Sequence, residues 1–295
     1  MTTILVLADY AGKTEPALFR AVEFAAQDPN AETDVHVVAF VHDDFVGKMD
    51  RGHEKDEFKS ELLTRRQQTL KGLIKENKLD AKVKIKVEIV WEKRITTWVT
   101  EHLKQNKDYS MIVKTGHRSE SIVHTPLDWQ LLRKSPIPVL LVSKKKWKKR
   151  NNILLALDLD TRIANKKRLN DKVIEHGKDL AARVGGQLHC VHAIHIPQII
   201  KDLEMFDLRK VKNEKVDKVS PYLHKLAKKH DLDPDNFHIR LGKPEKVIMS
   251  YANKLKADVV VLGTIGRRKL AAKMLGNTAE KIMRYAYTDI LAVKP

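Results

Sequence analysis

Gly263, Gly266 and Gly276 fall within fourteen residues of the stretch GTIGRRKLAAKMLGNTAEKI, and Asn277 and Thr278 follow directly. Gly263 and Gly266 come after DVVVL, an apolar run that reads as a strand. Without side chains, they let the backbone turn sharply and let a ligand reach its N–H groups. Asn277 and Thr278, with Glu280 close behind, open a segment of helical periodicity and have the composition of a helix start. Free amides and the positive end of a helix dipole favour an anion there, a phosphate above all. Thr278 adds a hydroxyl donor, while Arg267, Arg268 and Lys269 make the stretch cationic. The same glycines would also serve a tight turn and a helix cap with no ligand at all.

These residues need a frame, and the sequence supplies it twice. TILVLAD and NILLALD, ending in Asp9 and Asp158, read as buried first strands. EPALFRAVEFAAQD and LNDKVIEHGKDLAARVGG follow as helices, the second stopping on Gly185 and Gly186. DVHVVAFVH pairs with QLHCVHAIH, KIKVEIVW with FHIRLG, YSMIVKTG with DVVVLGTIG, and PIPVLLVSK with TDILAVKP. Short Val/Ile/Leu strands alternating with amphipathic helices predict an α/β fold: two tandem doubly wound domains, each a mostly parallel five-stranded sheet with helices on both faces. The boundary falls at KKKWKKR, whose mutual repulsion keeps it out of any core, giving domains at 1–143 and 151–295 joined by a basic linker at 144–150. In such sheets ligands settle beyond the carboxyl ends of the strands, where the winding reverses. Asp9, Asp158 and the glycine stretch all lie at such ends.

The spacing G-x2-G-x9-G-x-T is neither GxxxxGK[ST] nor a GxGxxG after a first strand. Together with the preceding ADVVVLG, the following AEKIMRYAYTDILAVK and the ALD at 156–158, it resembles the universal stress protein family. The likeness covers essentially the whole chain, as two family domains fused head to tail. The resemblance implies a pocket in the second domain for ATP or a related adenine nucleotide, with Mg2+ as its companion ion. Asp158 would sit near adenine and ribose, and Ala193 would be an apolar adenine contact. Gly263 and Gly266 would line the ribose and phosphate path, Arg267 would reach a phosphate, and Gly276, Asn277 and Thr278 would cap the phosphates. Asn277 departs from the pattern, since many relatives carry the hydroxyl residue at that place. The implied role is a stress response in which occupancy shifts a conformation or a partner contact; a slow ATPase is the alternative.

The first half lacks this equipment. Aligning the last helices sets Thr125 against Gly276, Pro126 against Asn277 and Leu127 against Thr278. Proline offers no N–H and leucine no hydroxyl. Nucleotide is therefore expected in the second domain alone, with the first as a built-in pairing partner. A homodimer is a further arrangement that the resemblance allows.

Charge and the remaining motifs leave other classes open. Lys and Arg number 56 against 38 Asp and Glu, a formal net charge of +18, which draws polyanions. KKKWKKR could grip a nucleic-acid backbone and stack a base on Trp147, or be a linker whose Trp147 packs against a domain. No membrane association is expected, since no eighteen-residue apolar run occurs; without a secretory N-terminus, a cytoplasmic location is expected. The single cysteine, Cys190, reads as a buried, inert thiol. His189 and His195 face one side of a strand and His192 the other, so they do not converge on a metal. His36 and His42 occupy the matching places in the first half. No GxSxG or HExxH occurs, and whether the protein is an enzyme is left open.

Overall fold

The computed structural model describes residues 2–9, 14–28, 30, 32–48, 52–116, 127–143, 147, 151–195, 208–264 and 276–294. The chain divides into two compact units, Met1–Lys144 and Lys145–Pro295.

In the first unit, strands β1 (Thr2–Leu7), β2 (Thr33–Val41), β3 (Ile85–Trp91), β4 (Tyr109–Thr115) and β5 (Val139–Val142) alternate with helices α1 (Pro16–Ala26), α2 (Asp44–Lys48), α3 (His53–Glu76), α4 (Ile95–Gln105) and α5 (Leu127–Lys134). The strands are ordered β3-β2-β1-β4-β5, every neighbouring pair parallel. Ile4, Leu5, Val6 and Leu7 are all buried in succession. Successive side chains of a strand point to opposite faces, so such a run requires cover on both. α1 packs on β1, β2, β4 and β5, and α3 on β2 and β3.

The second unit repeats the plan. Its strands are β6 (Asn152–Ala156), β7 (Gln187–Ile194), β8 (Phe237–Leu241), β9 (Val259–Gly263) and β10 (Asp289–Val293). Its helices are α6 (Ala164–Val184), α7 (Leu208–His230), α8 (Pro244–Lys254) and α9 (Asn277–Tyr285). The order β8-β7-β6-β9-β10 is again parallel throughout. α6 ends where Gly185 takes a left-handed conformation (φ 61°), a geometry that glycine adopts without steric cost. α7 runs through Pro221; the neighbouring Ser220 Oγ and His224 Nδ1 bond the carbonyls of Val216 and Ser220.

In both units the chain adds strands outward from the first strand in one direction and then returns to its other side. The winding therefore reverses between β1 and β4, and between β6 and β9, which marks the crevice where ligands of such sheets lie. Among the described residues, no helix is long and apolar enough to cross a membrane.

Candidate nucleotide site in the second unit

Strand register brings the expected site residues to one level. Ala156 pairs with Val191 of β7 and with Leu262 of β9. Two residues further along each chain segment stand Asp158, Ala193 and Thr264, at the carboxyl end of the sheet beside the reversal. Gly263 is the last residue of β9. Its amide path continues into Thr264, which is buried and donates both N–H (3.0 Å) and Oγ1 (3.2 Å) to the carbonyl of Val293. The carbonyl of Thr264 in turn accepts the Gly276 N–H at 3.2 Å. This bond joins the residue that follows β9 to the N-cap of α9, so that α9 starts next to the end of β9.

Gly276 is the N-cap of α9, in extended conformation (φ −66°, ψ 135°), and carries no side chain to cap the helix. Its own amide is engaged by Thr264, so the amides that this helix start could offer to an anion would begin at Asn277. Thr278 is half-buried in the first turn. The Asn277 side chain, Gly266 and Arg267 lie outside the described residues. At Gly263 a side chain is barred for a packing reason: a Cβ there would fall inside contact distance of Leu169 Cδ2 and Cγ on α6.

Asp158 is held by its main chain. Asn170 of α6, 3% exposed, accepts the Asp158 N–H through Oδ1 (3.0 Å) and donates Nδ2 to the Asp158 carbonyl (2.9 Å). His192 of β7 sets Nδ1 between the Leu157 carbonyl (3.1 Å) and the Leu159 N–H (3.2 Å), and burial holds this imidazole below its usual pKa range. The carboxylate itself is free to face outward. Its side chain is 45% exposed and Oδ2 accepts Lys166 Nζ at 2.8 Å. A second pair flanks it, Lys218 Nζ to Asp160 Oδ1 at 3.2 Å.

The first unit arranges the same places differently. Asp9 N–H donates to Glu15 Oε2 (3.0 Å), and Arg66 of α3 bonds both the Asp9 carbonyl and Glu15 Oε1. Glu15 is fully buried, and burial pushes its carboxyl above the usual range against the opposing pull of the Asp9 amide and of Arg66. Leu7 pairs with Lys114 of β4 as Ala156 pairs with Leu262, which makes Lys114 the counterpart of Leu262. Lys114 Nζ binds Asp128 Oδ1 at 2.8 Å, both side chains being buried, and also donates to the Thr115 carbonyl. Aligned helix starts set Asp128 against Ala279. A carboxylate of the chain itself therefore occupies the first turn of α5, where α9 presents alanine. Residues Thr125 and Pro126 lie outside the described residues.

None of Asn170, Lys166, Glu15, Arg66, Lys114 or Asp128 was singled out from sequence. Two left signals there: Asn170 interrupts the buried face Leu169, Val173, Ile174 of α6, and Lys114 is a lone charge inside SMIVKTG.

Of KKKWKKR only Trp147 is among the described residues. Cys190 is buried and its thiol is pushed up to about 12, which leaves it protonated and unreactive at neutral pH. Trp147 Nε1 donates to Asp289 Oδ2 at 2.8 Å, tying this residue to the fully buried start of β10. His189 meets His238 across β7 and β8, ring on ring with Tyr251 beyond. At the matching place in the first unit, His36 Nδ1 and His102 Nε2 share the Tyr109 hydroxyl at 2.6 and 2.9 Å.

The chain matches the universal stress protein family model twice, over residues 1–143 and 149–294. It is 30% identical over 302 residues to a universal stress protein E homolog of Haemophilus influenzae, spanning 99% of this chain and 97% of that one. Against universal stress protein E of Escherichia coli K12 it is 32% identical over 224 residues, 74% of this chain and 70% of the relative. A putative universal stress protein of Pseudomonas aeruginosa has the same fold, with a TM-score of 0.71 at 22% identity over 99% of this chain and 93% of the other. One from Archaeoglobus fulgidus gives 0.62 at 17% identity, over 99% and 98%. A repeated five-stranded parallel sheet and two successive family matches place this chain in the universal stress protein family, as a tandem two-domain member.

Proposed function

We propose that the second unit binds ATP or a related adenine nucleotide at the carboxyl ends of β6, β7 and β9, and that occupancy acts in a stress response by favouring one conformation or partner contact. The observation that carries this reading is the Thr264–Gly276 hydrogen bond, which brings a helix start without a side-chain cap to the end of β9, the strand paired with β6, beyond whose end stands the half-exposed, main-chain-clamped Asp158. Phosphate suits the first; a ribose hydroxyl or an adenine amino group suits the second. Ala193, at the end of β7 on the far side of β6 from β9, would supply an apolar wall on the adenine side, and Gly263, Gly266, Arg267, Gly276, Asn277 and Thr278 would make up the phosphate side. A ligand that prefers one form of the protein shifts the population by its affinity difference, with no turnover required.

The same comparison supports one site per chain. In the first unit, Glu15 with Arg66 and Lys114 with Asp128 fill both strand ends with the protein's own charges.

Mass spectrometry of small molecules released on denaturing the purified protein, followed by calorimetric titration with ATP, tests the reading. One bound nucleotide per chain is expected, and Gly276→Leu should abolish binding while the melting transition is retained. Unchanged affinity in that variant, or two equivalent sites per chain, would overturn it.

A further inference from the structure

Lys166 stands in an unfavourable place for a cation. It is the third residue of α6, a helix whose first turn has no acidic residue and whose N-cap, Ile163, provides no side-chain cap. The helix dipole opposes positive charge in the first turn. Its side chain is only 16% exposed, whereas lysine is ordinarily among the most exposed residues. What holds it there is Asp158 Oδ2 at 2.8 Å.

The pair leaves Asp158 Oδ1 to accept from a ligand, so the lysine need not leave for the carboxylate to be used. Its effect is on charge. An ionised carboxylate on a rigidly clamped loop repels any ligand that carries phosphate, and the next acid on the loop, Asp160, would add to this. Lys166 from α6 and Lys218 from α7 compensate the two acids one for one. We infer that Lys166 determines specificity at this site: by neutralising Asp158 it lets the pocket take phosphorylated adenine nucleotides, where the carboxylate alone would favour the uncharged nucleoside. This inference rests on the nucleotide reading above and names the charge class of its ligand.

Calorimetric titration of adenosine, AMP and ATP into the full chain and into Lys166→Met tests it. Replacing the lysine should weaken AMP and ATP about threefold to tenfold, in keeping with a nearby unit charge at high effective dielectric, and leave adenosine within about twofold. Lys166→Arg should restore the original ranking. In Asp158→Asn/Lys166→Met, with both charges gone, any change should fall equally on all three ligands. A structural role for the pair would shift all three together in Lys166→Met as well; that outcome, or no shift in any, would overturn the inference while leaving nucleotide binding intact. Failure of the unaltered protein to bind any of the three would overturn the nucleotide reading and this inference with it. Thermal melting of each variant separates lost binding from lost folding.

Discussion

Asn170 bonds both the amide and the carbonyl of Asp158, so one neutral carboxamide performs in the second unit what Glu15 and Arg66 perform for Asp9 in the first. A carboxamide has a donor and an acceptor on one group; a carboxylate only accepts and a guanidinium only donates, so the ionic solution needs two residues. Asn170→Ala strips both partners from a largely buried backbone segment. A loss of about 1–3 kcal/mol in denaturant unfolding is expected, together with weaker nucleotide binding if Asp158 is a contact. Asn170→Asp retains the acceptor, loses the donor and buries a charge, and should destabilise more than a Gln-sized or neutral replacement at the same place.

Lys114 and Asp128 form a buried ion pair where the second unit has Leu262 and Ala279. Breaking such a pair strands a buried charge, so Lys114→Leu or Asp128→Ala alone should cost about 3–5 kcal/mol. The double variant Lys114→Leu/Asp128→Ala, which imitates the second unit, should recover most of that loss. A double-mutant cycle in urea reads the coupling directly; additive losses would show that the two charges are not energetically linked.

The His36 cluster predicts acid sensitivity of the first unit. Burial, reinforced by Lys86 and opposed by Glu88, lowers the His36 pKa from 6.5 to about 4. Glu88 Oε2 lies 3.0 Å from Nε2, off the line of a hydrogen bond, and would pair with the ring only once it is protonated. Burial also lowers His102, against Glu88 and with Lys86, and the Tyr109 hydroxyl bridges the two rings. A histidine with a depressed folded-state pKa leaves stability fully present above 6.5 and takes it away as pH falls toward 4, because the unfolded chain binds the proton first. Unfolding free energy should therefore drop by on the order of 3 kcal/mol over that window, and His36→Gln should flatten the dependence. An unchanged pH profile in that variant would refute the assignment.

Gly263 and Leu169 share one space. Gly263→Ala should destabilise by about 1–3 kcal/mol through overpacking, and Leu169→Ala in the same chain should relieve the clash at the expense of a cavity. If Gly263→Ala melts as the unaltered protein does, the close approach is not a constraint.

How much of this could be read in advance depended on the range of the interactions concerned. The repeat and its strand types were legible because uninterrupted Val/Ile/Leu runs such as Ile153–Leu155 announce strands covered on both faces, and because Gly185 at the end of α6 announces a helix stop. The α9 start was legible from Asn277, Thr278 and Glu280. The Glu15–Arg66 pair was not: its members are fifty-one residues apart, and neither residue is unusual in its own segment. The donor set shifted for a similar reason, since the engagement of the Gly276 amide depends on Thr264, on the far side of the glycine segment.

Local chemistry, written in consecutive residues, determined the elements, the family and the end of the sheet at which a ligand would be met. The tertiary structure decided which charges face one another there: Lys166 with Asp158 in one unit, Lys114 with Asp128 in the other. Side-chain periodicity is set within a few residues of the chain, whereas charge compensation at a buried strand end is set by whatever helix happens to cross it. That crossing is fixed only when the sheet has formed and its crossovers have been laid down.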